Sequence, residues 1–290
     1  MGTKKRGLKA RPDFLYLLPF VVSVAVCMAL FLPMEEPSVA GAVLKCLPIV
    51  CLLGFLALVE QGNQEASKCQ MALCCSLLGD VCLVWPKELL APGVVFFGLA
   101  QVSYVMSLGF QRVNWRLGLA LHLGSLLAMA LLLPLIPSLA LKFLLTGYSI
   151  LLTTMGWRAL DRARLVHEVC GAQRACTLGG AVAFWVSDAS IVILQLGQLI
   201  PHKYAQAVIL STYYIAQLLL TLGAAQKFWA GTTASHTSVT STASSPSSSS
   251  SKARIASVRH GSSSVKNNIP SVRSNTSSVN SRIPSSRKSR

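Results

Sequence analysis

Two aspartates are set deep inside apolar runs. Asp80 lies in MALCCSLLGDVCLVW (71–85) and Asp188 in CTLGGAVAFWVSDASIVIL (176–194). A charged side chain at bilayer depth is costly, so a carboxylate found there has a partner or a task. The remaining acidic residues, Asp13, Glu35, Glu36, Glu60, Glu65, Glu88, Asp161 and Glu168, fall at the ends of such runs or between them. Two carboxyls in a low-dielectric cavity can divide the roles of acid and base, one holding a proton while the other is ionised. By analogy with glycosidases, such a pair suits the splitting of an acetal-like or enol-ether bond through an oxocarbenium-like transition state. Proton-coupled transporters also use intramembrane carboxylates, so the pair alone leaves both chemistries open.

Depth brings other polar side chains to the same level. At ~1.5 Å per residue, Asp80 is about 11 residues into its predicted span and Asp188 about 14, counted from one membrane face. Lys45 enters from the other face at a comparable level, and Gln101, Tyr104, Tyr213, Tyr214 and Gln217 fall in the same slab. Gln101 and Tyr104, like Tyr214 and Gln217, are spaced i,i+3, and Tyr213 and Gln217 are spaced i,i+4, so each pair shares a helix face. The layer is what a pocket inside a helical bundle requires. Each residue also has a plainer reading: Gln101 and Gln217 as glue between helices, Tyr213 and Tyr214 as packing, Lys45 and Lys142 as snorkelling cations. His122, in LALHLGSL, reads as a packed histidine. It is the only histidine inside a span, and neither HExxH nor GxSxG occurs. A zinc hydrolase needs several ligands at one level, so no metal, no serine nucleophile and no cofactor is expected.

The elements that must hold this layer are membrane helices. The chain has 290 residues, of which 52% are hydrophobic and 12% charged, with mean hydropathy +0.55. That composition describes a polytopic membrane protein and excludes a soluble domain. The formal net charge of +16 would suggest nucleic acid in a soluble protein; here it is a topology signal, and no nucleic-acid partner is expected. The nine cysteines include Cys27, Cys46, Cys51, Cys74, Cys75 and Cys82 inside apolar runs, with no CxxC pair, and read as small apolar residues.

The hydropathy pattern predicts an all-α fold, a bundle of eight transmembrane helices over 14–226. The spans fall at roughly 14–32, 40–59, 69–85, 92–110, 114–133, 138–158, 174–195 and 204–226, each near the ~20 residues needed to cross. Gln61-Gly62-Asn63, Pro86, Pro92, Pro134, Pro137, Gly171 and Pro201 punctuate them. Residues 1–13 form a basic N-terminus. Eight spans put both termini on one side, and the Lys and Arg residues agree. Only Lys87 and Lys203 fall in the opposite loops and Lys45 and Lys142 within spans, while the rest of the 26 are on the terminal side. Basic loops face the cytosol, so both ends are predicted cytosolic. The tail, 227–290, is basic and Ser-rich and from 231 lacks Asp and Glu. It cannot bury a core and is predicted disordered.

Four segments, LKCLPIVCL (44–52), SLLGDVCLVW (76–85), FWVSDASI (184–191) and STYYIAQLLLTLGA (211–224), carry a resemblance. In this order and spacing they look like the YhhN-like lysoplasmalogenase family, nearest its animal transmembrane protein 86 branch. The resemblance covers all eight spans. It implies an integral membrane hydrolase, typically of the endoplasmic reticulum, whose partners are membrane lipids and a lysophospholipid substrate. The implied reaction cleaves the vinyl ether bond of a lysoplasmalogen to a fatty aldehyde and glycerophosphoethanolamine or glycerophosphocholine. It implies Asp80 and Asp188 as the catalytic pair, Lys45 at the lipid phosphate, and Gln101, Tyr104, Ser187, Tyr213, Tyr214 and Gln217 around the substrate. Relatives commonly carry His at the position of Gln101 in FFGLAQVSYV (96–105). A catalytically silent lipid-binding or sensing protein and a proton-coupled transporter are the alternative readings. The transporter predicts an inverted repeat with broken helices.

Overall fold

A computed structural model describes residues 14–34, 36–136, 138–166, 169–196 and 201–230. The reading of 1–13 as a basic arm lies outside them, as does the tail from 231 on; the first residues of the tail expected disordered from 227 are described, and there the reading is corrected, since 227–230 are helical and Phe228 is buried against the Phe55 ring. The described residues are helical throughout, with no strand. In chain order the helices are α1 (Leu18–Leu30), α2 (Val39–Val59), α3 (Gln64–Cys82), α4 (Pro86–Leu108), α5 (Trp115–Leu132), α6 (Leu139–Leu165), α7 (Gly171–Ser190) and α8 (His202–Ala224). Local chemistry sets the starts. Ser38, Asn63, Asn114 and Ser138 each accept a hydrogen bond from a first-turn backbone N–H of the helix that follows, satisfying a donor the helix leaves orphaned. Pro86 opens α4, where a missing N–H costs nothing.

Among the described residues six of these helices, α2 and α4 to α8, are long and apolar enough to cross a membrane. The expected count of eight is therefore met by length and composition at six positions. At the other two, α1 has 13 residues, preceded by a 3-10 turn, and α3 opens with the polar stretch QEASKCQ. Two boundaries also move. Pro92, expected to break the chain, lies inside α4, and the irregularity falls at Leu89 (φ −116°, ψ 16°). The proline ring crowds the preceding turn, so the helix bends there without ending. The span expected to close at 158 runs on to Leu165. Its last turns are charged, but they pair: Arg158 Nη1 lies 2.8 Å from Asp161 Oδ2, and Arg162 reaches Glu65 of α3 with Nη2 to Oε2 at 2.7 Å.

α8 lies against α7, α3 and α2. α7 and α8 pack most extensively, α3 lies along α4, α4 along α6, and α2 and α3 both touch α8. A Cβ on Gly180 would stand 2.8 Å from the Leu220 backbone nitrogen, so α7 and α8 approach at a distance only glycine allows. α5 packs chiefly on α6. There His122 is held by the Gly118 carbonyl at 2.8 Å and the Thr154 hydroxyl at 3.0 Å, as a packed histidine is. All nine cysteines are free thiols.

Candidate active site

Asp80 ends a buried seam of α3 made by Ala72, Leu73, Ser76 and Gly79. It is 1% exposed, and each carboxylate oxygen has a partner. Oδ1 is 3.2 Å from the Lys45 ammonium of α2, and Oδ2 accepts a 2.6 Å hydrogen bond from the Tyr213 hydroxyl of α8. A buried carboxylate is tolerated when a counter-charge and a donor replace its water. Lys45 is itself buried, so its ammonium meets Asp80 and does not snorkel. Pro48, one turn further along α2, has no N–H to continue the helix bonding. In that turn the Tyr214 hydroxyl donates to the Lys45 carbonyl at 2.8 Å and meets the Cys27 thiol at 3.2 Å. Adjacent tyrosines of α8 thus grip both the side chain that faces Lys45 and its backbone.

One turn along α8, Gln217 extends the network. Its Nε2 donates to Ser76 Oγ at 3.1 Å and its Oε1 accepts from the Tyr104 hydroxyl of α4. Ser76 precedes Asp80 by four residues, so both lie on one face of α3. Aromatic rings fill the space between. Phe97 and Phe184 both stand edge-on to Tyr213 with centroids 5.9 Å apart, and Phe184 is edge-on to Tyr104 at 6.5 Å. A Cβ at Gly79 would come within 2.7 Å of the Phe97 ring, so the glycine before Asp80 lets that ring reach Tyr213.

Asp188 is held differently. It sits on α7 one turn beyond Phe184, and its Oδ2 accepts a 2.6 Å hydrogen bond from the Tyr148 hydroxyl of α6. Among the described residues no cation pairs with it. Both Asp188 and Tyr148 are partly buried, whereas Asp80 is sealed. Ser187, its neighbour, donates to the Ile209 carbonyl of α8 at 3.2 Å. Gln101 of α4 is 0% exposed and comes near the Tyr148 hydroxyl. Neither its amide oxygen nor its amide nitrogen completes a hydrogen bond among the described residues. An amide buried in that way costs about 1–3 kcal/mol, which a protein tolerates where a ligand supplies the partner.

The structure thus joins Lys45, Asp80, Tyr213 and Tyr214 in one cluster and Tyr104 and Gln217 in a second that touches it through α3 and α8. Asp188 stands with Tyr148, and no contact joins it to Asp80 directly. Sequence reasoning missed Ser76, Tyr148 and Cys27. Tyr148 is findable by the depth count used for Lys45: it lies nine residues after the start of α6, and Asp188 of the neighbouring antiparallel helix lies eight residues before Leu196, where the π-helical continuation of α7 (Ile191–Leu196) ends. In chemical terms the described residues hold one carboxylate paired with an ammonium, one carboxyl bonded to a phenol, and a set of packed aromatic rings.

A sequence model of the YhhN family matches residues 40–224, from α2 through α8. The pig protein called lysoplasmalogenase TMEM86B is 37% identical over 234 residues, covering 78% of this chain and 97% of the pig chain. The human lysoplasmalogenase TMEM86B is 36% identical over 216 residues, with 74% and 88% covered. The human lysoplasmalogenase TMEM86A is 33% identical over 215 residues, with 72% and 88% covered. No solved structure matches. The chain belongs to the YhhN family.

Proposed function

We propose that this chain is a lysoplasmalogenase, an integral membrane hydrolase that splits the vinyl ether bond of lysoplasmalogens. The observation that carries the reading is the unlike treatment of two carboxyls in one apolar bundle. Asp80 is matched by Lys45 and sealed, while Asp188 has Tyr148 as its partner among the described residues and is only partly buried. The names of the relatives support the same substrate class.

The reaction needs a proton on carbon first. A carboxyl without a counter-charge in a low-dielectric site keeps its proton, so Asp188 is the acid. It protonates the vinyl ether carbon remote from oxygen, leaving an oxocarbenium ion on the carbon that bears the ether oxygen. Asp80 remains ionised beside Lys45, and its negative charge favours that cation and a water lined up to attack it. Water adds, its released proton returns to Asp188, and the hemiacetal collapses to fatty aldehyde and a glycerol hydroxyl. Aromatic groups Phe97, Tyr104, Phe184 and Tyr213 keep bulk water from the cation. The Lys/Arg distribution supports cytosolic termini, and we assign the protein to the endoplasmic reticulum with a lysophospholipid as substrate.

The test is aldehyde release from lysoplasmenylethanolamine and lysoplasmenylcholine by purified protein in detergent. Wild type is run beside Asp80→Asn and Asp188→Asn, with size-exclusion profiles as the folding control. Turnover is expected in wild type and is lost in both folded variants. In D2O the aldehyde should gain one deuterium at the carbon next to its carbonyl. Turnover that survives both substitutions, or a product without that label, overturns the mechanism. The 1-O-alkyl analogue, which has no double bond to protonate, should not react.

A further inference from the structure

Gln101 is a buried polar residue that the reaction steps above leave without a task. It is 0% exposed, and among the described residues it is the one buried side-chain amide whose oxygen and nitrogen both lack a hydrogen-bond partner. A carboxamide offers an acceptor and a donor side by side, whichever way its plane is turned. Leaving both bonds unmade is tolerated where a ligand completes them. A ligand atom that completes both must itself donate and accept. A hydroxyl does that; an ether, an ester and an ionised phosphate only accept.

The helix face that carries this amide runs past both carboxyl clusters. On α4, Phe97, Gln101 and Tyr104 are spaced i, i+4 and i+7 and share one face. Phe97 stands edge-on to Tyr213, the tyrosine that holds Asp80, and Tyr104 bonds Gln217. Between them, Gln101 comes near the Tyr148 hydroxyl, which donates to Asp188 at 2.6 Å. Gly98, one turn earlier, has no side chain to hold α4 off α6: a Cβ there would meet Leu151, one turn past Tyr148, at 3.5 Å. Two steps of hydrogen-bond length therefore separate the amide from the Asp188 carboxyl, roughly 6–7 Å.

A lysoplasmalogen brings one group of the required kind to that distance. Its free hydroxyl, on the middle glycerol carbon, is five bonds from the vinyl carbon that takes the proton, about 6 Å when extended. With that carbon against Asp188, the hydroxyl enters the same apolar layer, where it too is costly unpaired. We propose that Gln101 recognises this free hydroxyl, accepting its hydrogen bond with Oε1 and donating to its oxygen with Nε2, and so selects the lyso lipid. The assignment rests on the lysoplasmalogenase reading above. In a lipid acylated at the middle carbon the ester oxygen has no proton to give, and the amide oxygen stays unpaired. A second acyl chain must also find room beside a side chain that is fully buried. Gln101 on this account sets specificity and takes no part in moving the proton.

The test removes the hydroxyl from the lipid and the amide from the protein in turn. Aldehyde release is measured for lysoplasmenylethanolamine and for its 2-deoxy and 2-O-methyl analogues, the last of which accepts a hydrogen bond but cannot donate one. Wild type is run beside Gln101→Leu and Gln101→Met, the second matched in length. Wild type should favour the hydroxyl lipid over both analogues by about tenfold to a hundredfold in kcat/KM. Both variants should bring that ratio to within about threefold, by loss on the hydroxyl lipid, and turn over the 2-deoxy lipid at least as well as wild type does. A variant that only disturbs the bundle slows all three lipids alike and keeps the ratio, as does an amide that holds only an ordered water; either result overturns the proposal. Binding of the unreactive 1-O-alkyl lysophosphatidylethanolamine and its 2-deoxy analogue, read by tryptophan fluorescence, separates this contact from the hydrolase reading. If wild type releases no aldehyde yet binds the hydroxyl analogue about tenfold tighter, and Gln101→Met removes that difference, the hydrolase reading fails and the hydroxyl contact stands. If wild type releases aldehyde equally well from the hydroxyl and 2-deoxy lipids, the contact fails and the hydrolase stands.

Discussion

Lys45→Met removes the ammonium that faces Asp80 and leaves a carboxylate, 1% exposed, with the Tyr213 hydroxyl as its remaining partner. At 3.2 Å the pair's attraction is about 5 kcal/mol for an effective dielectric of ~20. Water compensated both ions before folding, so the net cost of deleting one partner is about 4 kcal/mol, the uncompensated charge supplying most of it. For a bundle of this size that lowers the melting temperature by about 10 °C. Asp80→Asn is expected to cost a similar amount, because it strands Lys45 while Tyr213 keeps an acceptor. The double variant Lys45→Met/Asp80→Asn removes both charges and retains that acceptor. It should be more stable than either single variant by about 3 kcal/mol. Melting followed by tryptophan fluorescence in detergent measures all four proteins, and aldehyde release is assayed on the same samples. The double variant should recover most of the lost stability and none of the activity. Additive destabilisation would falsify the ion pair, and an active double variant would remove Asp80 from the chemistry.

Three further outcomes follow from single contacts. Gln101→Leu should leave the melting temperature unchanged or raise it by a few degrees, since it deletes an amide that costs about 1–3 kcal/mol unpaired, while KM rises; a melting temperature lowered by 5 °C or more would show that the amide is bonded. Tyr148→Phe removes the one hydrogen bond to Asp188 and should lower kcat about tenfold to a hundredfold, with KM within twofold and melting unchanged, which steady-state kinetics and a melt together decide. Arg158→Lys keeps the charge but loses the fork that donates to the Gly109 carbonyl, the Gln111 carbonyl and Asp161; a loss of about 3 kcal/mol is expected, and a variant as stable as wild type would show that the fork is dispensable.

The helix pattern was legible because membrane spans are written in composition. The predicted starts at 40, 114, 138 and 204 fall within two residues of Val39, Trp115, Leu139 and His202. What composition misreads is a polar residue whose partner is far along the chain. Composition reads Arg158, Asp161 and Arg162 as part of a charged loop, yet they are buried on α6 because Glu65, about 97 residues away, and the 109–114 turn complete their bonding. Hydropathy places the end of α6 too early and the start of α4 too late for the same reason: a charge or a proline stops a hydropathy run before it stops a helix.

The site divides along the same line. Depth is a one-dimensional quantity, and counting residues from a helix end put Lys45, Asp80, Gln101, Tyr104, Asp188, Tyr213 and Gln217 at one level. Which of them touch depends on how each helix is rotated about its axis, and that is fixed by packing such as the Gly180 contact with α8 and the Gly79 contact with Phe97. The two aspartates look equivalent in sequence, each alone in an apolar run. Rotation makes them unlike: Asp80 turns toward Lys45 and Tyr213 and is sealed, while Asp188 turns toward Tyr148 and is only partly buried. A reaction that needs one held proton and one held charge requires that asymmetry, and two carboxyls serving only as glue between helices would have no use for it.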